Sequence, residues 1–284
     1  MNTFIDKLLV SIQYIVPARL LGNLTNKLAC SERVWLKNLL IRAFTTLFDI
    51  NTEEMDREHS TDYPSFNAFF TRELKPGARP IDETPSGICS PADGTIQHVG
   101  YASAGNLYQA KGMTFTSENL LAAETADVAP LNDGAHMTIY LAPHNYHRLH
   151  APMDGTLRKM HFIPGRRFSV NTRTANTIPG LFARNERLAC QFDGPAGAYW
   201  LVFVGAMNVA SISTAWAGEI VSQSMLIQES FTPVNAPSFC KGDYIGHFNL
   251  GSTIVMLFPN EVATWLQELK EAQPVRVGQK LADF

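Results

Sequence analysis

The stretch GDYIGHFNLGSTIVMLF, residues 242–258, is written almost throughout in strand-forming residues and is interrupted once, at Leu250-Gly251-Ser252-Thr253. A glycine inside a strand gives up conformational entropy and brings no side chain to pack. One reading is a bulge, with Ser252 and Thr253 satisfying loose backbone groups. The other is that the Gly251 carbonyl and the Ser252 hydroxyl are themselves reactants. Upstream, HMTIYLAP, GTLRKMHFIPG, YWLVFVGAMNVASIST and GEIVSQSMLI have the same texture, rich in Val, Ile, Tyr, Phe and Thr. From about Ile88 onward the chain therefore reads as short strands separated by Gly, Pro and Asp. NEVATWLQELKEA, residues 260–272, carries a short helical pattern, and PVRVGQKLADF, residues 274–284, reads as a final edge segment. Strands do not alternate with helices of crossover length, which argues against a doubly wound α/β fold.

The first fifty residues differ. Phe4, Ile5, Leu8, Leu9, Ile12, Ile15 and Val16 recur at helical spacing until Pro17, and Leu36, Leu39, Leu40, Ala43, Phe44 and Leu47 repeat the pattern. Lys7, Arg19, Lys27, Arg33, Lys37 and Arg42 outnumber Asp6, Glu32 and Asp49, so this end is basic although the whole chain carries a net charge of −3. A basic amphipathic region suits an anionic membrane surface. The commoner fate of such helices is to cover their own protein's core, and Trp35 serves either role. A polar link, NTEEMDREHSTDYPS, follows. The expected fold class is α+β: N-terminal amphipathic helices over residues 1–60, then a β-rich domain of mixed or antiparallel sheets over 61–284.

With 284 residues, 45% of them hydrophobic, the chain can bury a full core. The small net charge and the absence of a Lys/Arg block argue against nucleic acid as a partner. Cys30, Cys89, Cys190 and Cys240 are scattered without a C-x-x-C pair, so neither a zinc site nor a disulfide frame is indicated and a reducing compartment fits. No apolar run approaches the roughly 20 residues of a spanning helix, and no cleavable leader is evident. On these features alone the expected location is cytoplasmic.

Two further stretches carry chemistry. APHNYHRLHAPMDG, residues 142–155, holds His144, His147 and His150, three of the eight histidines. Metal ligation, structural hydrogen bonding and acid/base work all remain open; the first is weakened by the lack of a nearby acidic or thiol ligand and of H-E-x-x-H. The third, acid/base work, is favoured, because imidazole both takes and returns a proton near neutrality. His147 and His150 are an odd number of positions apart, so an extended backbone points them to opposite faces. CSPADGTIQ, residues 89–97, places Asp93 in an Asp-Gly turn, which turn chemistry alone explains, or where a carboxylate could orient a histidine. There is no G-x-S-x-G elbow, no phosphate-binding glycine loop, and Ser252 remains the candidate nucleophile.

Together these stretches resemble the phosphatidylserine decarboxylase family, in its bacterial membrane-associated form. The matching pieces are FFTRELKPGARPID (Phe69 to Asp82), SPADGTI, YHRLHAPMDG, GRRFSVN, LFARNER and FNLGSTIVMLF, in family order across nearly the whole chain. L-G-S-T alone is weak; in register with Y-H-R-x-H and P-A-D-G it is specific. Ala151 stands where the family most often has Met, a change beside the histidines that removes no proton carrier. The resemblance implies a proenzyme that cuts itself between Gly251 and Ser252 into a β chain, 1–251, and an α chain, 252–284. Asp93, His150 and Ser252 would form the self-cleavage relay, and Ser252 would become the pyruvoyl group on which the substrate amine forms a Schiff base. His147 would be the decarboxylation acid, and no added cofactor or metal is required. The implied substrate is phosphatidylserine in the bilayer, reached from the cytoplasmic side by a peripheral protein docking through residues 1–50. Oligomeric state is left open, a homodimer included. Two other functions compete: a lipid-binding membrane protein without chemistry, and a pyruvoyl decarboxylase of a soluble amino acid.

Overall fold

The computed structural model describes residues 10–207 and 211–284. Phe4, Ile5, Leu8 and Leu9 of the expected first helix lie outside the described residues. Among the described residues every pairing between the strands of the β body is antiparallel, and the isolated bridge Arg166–Asn185 is parallel. Its largest sheet has nine strands, in the order β12 (Ile227–Ser230), β7 (Gly155–Ile163), β8 (Arg187–Gly194), β9 (Gly197–Gly205), β15 (Ser252–Leu257), β5 (Ala135–Leu141), β2 (Gly94–Tyr101) and β17 (Pro274–Val275), with β13 (Ser238–Phe239) also on β7. A four-stranded sheet runs β11 (Gly218–Val221), β10 (Ser211–Thr214), β14 (Tyr244–Asn249), β6 (Arg148–His150). A three-stranded sheet runs β1 (Gly87–Cys89), β18 (Lys280–Asp283), β16 (Thr264–Trp265), and β3 (Asn106–Ala110) pairs β4 (Met113–Thr116).

Apolar runs such as YWLVFV and STIVML show little alternation because both faces of the nine-stranded sheet are covered. Ile254 and Met256 of β15 join Leu201 and Phe203 of β9 in one core, while Val255 and Leu257 join Val202 and Val204 in another. The first core also takes Leu149 from β6, Ile212 from β10 and Phe248 from β14, so the four-stranded sheet packs on that face. Side chains alternate along a strand. Ser252 therefore shares the face of Ile254 and Met256, toward the sheet that carries the histidines.

Helices α1 (Ala18–Ala29), α2 (Val34–Leu47) and α3 (Phe66–Phe70) form the cover. Helix α2 buries Lys37 and Ile41 rather than the expected Leu stripe, and leaves Trp35, Leu39 and Leu47 exposed. It packs through Ile41 and Phe44 on Met55, Tyr63 and Phe69, and the Lys37 ammonium donates to the Thr61 carbonyl. One of the six N-terminal cations thus faces inward. The polar link is not a loose tether: Met55 is fully buried and bridges Leu74. Among the described residues no helix is long and apolar enough to cross a membrane.

Residues 260–272 are not helical. Turns and the short strand β16 occupy them, with Glu261 and Ala272 at positive φ. Leu266 N–H donates to the Leu281 carbonyl and the Trp265 indole N–H to the Gly100 carbonyl. Strand partners thus take the backbone groups that an isolated helix would use internally, and tertiary pairing overrides local propensity. The C-terminal segment is an edge only in part. Pro274–Val275 pairs β2 at the rim of the large sheet, whereas β18 is the middle strand of the small one.

Candidate active site

The Gly-Ser break lies between two strands. β14 ends at Asn249 in the four-stranded sheet and β15 starts at Ser252 in the centre of the nine-stranded sheet, so Leu250 and Gly251 carry the chain from one sheet to the other. Both have positive φ, 77° and 76°. A glycine tolerates this freely; a leucine does so only under constraint. Leu250 is held in an apolar cluster with Ala29 of α1 and Phe70 of α3. Upstream, the Asn249 amide donates to the Ser211 and Ser213 hydroxyls and its carbonyl oxygen accepts from Asn67 of α3. Downstream, Ser252 is paired on both sides, to Leu141 and to Gly205. The Ser252 hydroxyl is buried and has no hydrogen-bond partner among the described residues.

The histidine stretch meets this crossover through strand pairing. β6 lies antiparallel to β14, with His150 opposite Tyr244, and Phe248 N–H points to the His147 carbonyl at 3.4 Å. His147 is buried beneath Phe70, ring centroids 3.9 Å apart. Its Nδ1 lies 2.8 Å from the Asn145 carbonyl, which only accepts, so Nδ1 carries the proton and Nε2 is bare; Nε2 has no hydrogen-bond partner among the described residues. Burial, reinforced by the Arg72 cation, lowers its pKa to about 3, so the ring is neutral at pH 7.

His150 is held alike. Nδ1–H donates to the Gly242 carbonyl at 2.8 Å, and the Tyr146 hydroxyl donates to Nε2 at 3.1 Å. Burial again lowers its pKa, partly offset by the Gly242 bond and by Asp93.

Asp93 sits just before β2. Gly94 must be glycine, because a Cβ there would fall 2.5 Å from the Tyr140 carbonyl oxygen. The Asp93 stretch and His150 are neighbours, since His150 N–H donates to the Pro91 carbonyl at 2.9 Å. The carboxylate is nevertheless committed elsewhere. Arg79 binds it through Nε at 2.9 Å and Nη2 at 2.6 Å, and Val277 N–H donates to Oδ1 at 2.9 Å. Arg79 also pairs Glu54 at 2.9 Å; burial alone would lower the Arg79 pKa, but these two carboxylates raise it. The expected hydrogen bond from Asp93 to His150 is therefore replaced by a field acting at longer range. The sequence carried a signal for this, since Arg79 lies in the GARPID stretch at a separation of 14 from Asp93; nothing local said which carboxylate it would take.

The structure places His147 against Phe248 and Phe70 near the crossover, whereas His150 lies opposite Tyr244 and Asp93 is held by Arg79; Phe70, Arg79 and Tyr146 join them, residues to which sequence reasoning had given no role. The architecture is that of an α+β protein whose histidine stretch pairs with the strand that runs into the Gly251–Ser252 crossover. A family profile described as phosphatidylserine decarboxylase matches residues 66–283, and a second, described as PSD, matches residues 8–49. Relatives named phosphatidylserine decarboxylase proenzyme include proteins of Stutzerimonas stutzeri, 44% identical over 97% of this chain and 94% of that protein, and Pseudomonas fluorescens, 43% identical over 98% of each. A third, from Alkalilimnicola ehrlichii, is 46% identical over 90% of this chain and 89% of that protein. The chain belongs to the phosphatidylserine decarboxylase family.

Proposed function

We propose that this chain is a proenzyme that cuts itself between Gly251 and Ser252 and then converts phosphatidylserine to phosphatidylethanolamine and CO₂. The observation that carries the reading is the Ser252 hydroxyl, buried without a partner, one residue past a glycine held at positive φ between two sheets. No Cβ shields the Gly251 carbonyl. Ser252 Oγ attacks that carbonyl carbon, the C–N bond breaks, and the freed nitrogen takes a proton, leaving an ester. Loss of the Ser252 Cα proton with rupture of the Cβ–Oγ bond releases residues 1–251 as a carboxylate and leaves dehydroalanine. Hydrolysis gives ammonia and a pyruvoyl group heading residues 252–284.

His150 is assigned as the base for the hydroxyl. Its Nε2 is the acceptor nitrogen, and the Tyr146 hydroxyl that now donates to it must yield or relay the proton. Asp93, fixed by Arg79, stabilises the charged imidazole from a distance. The position fits the group it would become: a hydroxyl with no partner leaves no orphaned atom when it is lost. The pyruvoyl group supplies a ketone for the substrate amine and an electron sink for the bond to the carboxylate, with no added cofactor. His147 Nε2, bare and buried, takes the proton that the substrate ammonium must lose and returns it to the carbon vacated by CO₂.

Exposed apolar residues of the helical region over residues 1–60, Ile15, Leu20, Leu24 and Trp35 among them, support peripheral docking on a membrane, and the cytoplasmic side is the one the family resemblance implies. They favour a lipid over a soluble amino acid as substrate. Intact mass is the decisive measurement. Wild type should resolve into masses for 1–251 and for 252–284 with a pyruvoyl head, and Ser252→Ala should remain a single chain. A wild type that folds yet stays whole would end this reading.

A further inference from the structure

Arg72 follows α3 and is only 4% exposed. Other arginines of the described residues have carboxylate partners: Arg79 has Asp93 and Glu54, Arg148 has Glu73, and Arg167 has Glu186. Arg72 has no ion-pair partner among the described residues. Its Nη2 makes one long bond, 3.4 Å, to the His144 carbonyl, and its guanidinium lies 5.5 Å from the centre of the Phe69 ring. Nε and Nη1 are buried with no hydrogen-bond partner among the described residues. A guanidinium taken out of water without a counter-ion is strongly destabilising, and buried donors are almost always satisfied. Asp93, which lines the same cavity, is already held by Arg79 and by Val277 N–H, and Glu54 is paired with Arg79.

Arg72 lines a cavity of about 240 Å³ together with Asp49, Glu54, Asp93, His144 and Tyr146. Arg72 is also close enough to His147 to act on its ring electrostatically. The geometry points to an oxyanion subsite at Arg72 that takes an anionic group of the substrate headgroup, phosphodiester or carboxylate, beside His147. The inference rests on the assignment of His147 and Ser252 to the reaction. An anion there supplies the missing counter-charge, so substrate binding completes a site that folding leaves unsatisfied.

The test uses Ser252→Ala protein, which needs no processing, and calorimetric binding of glycerophosphoserine. Arg72→Gln should weaken binding roughly 10- to 100-fold, the loss of one charge-assisted hydrogen-bonded contact, with the thermal midpoint maintained. Binding within about twofold of the parent overturns the proposal. If Arg72→Gln does not fold, Arg72→Met, which places an unbranched apolar chain in the same space, is judged by the same criterion. Glycerophosphoethanolamine separates the two anions: weakening there too assigns Arg72 to the phosphodiester, and weakening for glycerophosphoserine alone assigns it to the carboxylate. Inorganic phosphate that binds as tightly as glycerophosphoserine would mean a general anion site and would also overturn the proposal. Wild-type protein that stays uncut would sink the self-processing reading without deciding this binding result.

Discussion

The two strands that flank the Gly251–Ser252 bond are set very differently. β14, upstream, belongs to a sheet of four strands and carries partly exposed residues at Tyr244 and His247. β15, downstream, is buried at every position and paired along its whole length to β5 on one side and β9 on the other. The upstream strand holds the histidine stretch through its pairing with β6. The downstream strand is the fixed one, held on both sides. A consequence is that cutting the bond does not free residues 252–284, because β15 stays in the middle of the large sheet and β18 in the middle of the small one. The two pieces should remain one particle.

The sharpest way to break the contrast is to charge the fixed strand. Ile254→Asp places a carboxylate with no partner in the main core, and should cost more than about 4 kcal/mol, leaving no soluble folded protein in a urea titration. A soluble, cleaved Ile254→Asp would show that β15 is less central than its pairing indicates. Phe70→Ala removes the ring shared by Leu250 and His147, and about 3–5 kcal/mol should be lost by equilibrium unfolding. It also admits water to His147, whose pKa, measured by NMR titration, should climb from about 3 toward the ordinary histidine range.

Acid sharpens the contrast in the same direction. His147 and His136 are held by burial at about 3, and His247 at about 4, all below the unfolded value of 6.5. Between those limits the unfolded chain binds more protons than the folded one, so stability is full above pH 6.5 and falls as pH drops toward 4. The slope is about 1.4 kcal/mol per pH unit for each such histidine, and urea midpoints from pH 7 to 5 measure it. A flat profile would mean that these rings are not buried neutral. The smallest effect expected is at Gly251→Ala in the Ser252→Ala background. A Cβ there has open space, so only the positive φ is penalised, about 1–2 kcal/mol. A larger loss would place an unseen neighbour against the crossover.

Much of this site could be read from the chain. Gly251-Ser252, the histidine stretch and the Asp-Gly turn are local patterns whose residue types announce proton transfer and an unhindered carbonyl, and the β texture from Ile88 onward followed from side-chain shape. The failures share one cause. Residues 260–272 look helical because their spacing is, but strands more than a dozen residues away hold their backbone groups. Asp93 looks like the partner of a histidine because that pairing is chemically apt, but Arg79 reaches it with two hydrogen bonds and His150 finds a carbonyl instead. The stripe on α2 was displaced because the face it buries is chosen by Phe69 and Met55, not by its own moment.

Sequence was therefore sufficient for the family and the α+β class, and it singled out Gly251–Ser252 as the bond to test, since each depends on residue type and order along the chain. Which sheet lies on either side of that bond, which carboxylate answers which cation, and that Arg72 is left with none, depend on distances between segments far apart in the chain. Hydrogen bonds and ion pairs fall off over a few ångströms, and only the packed fold sets those distances.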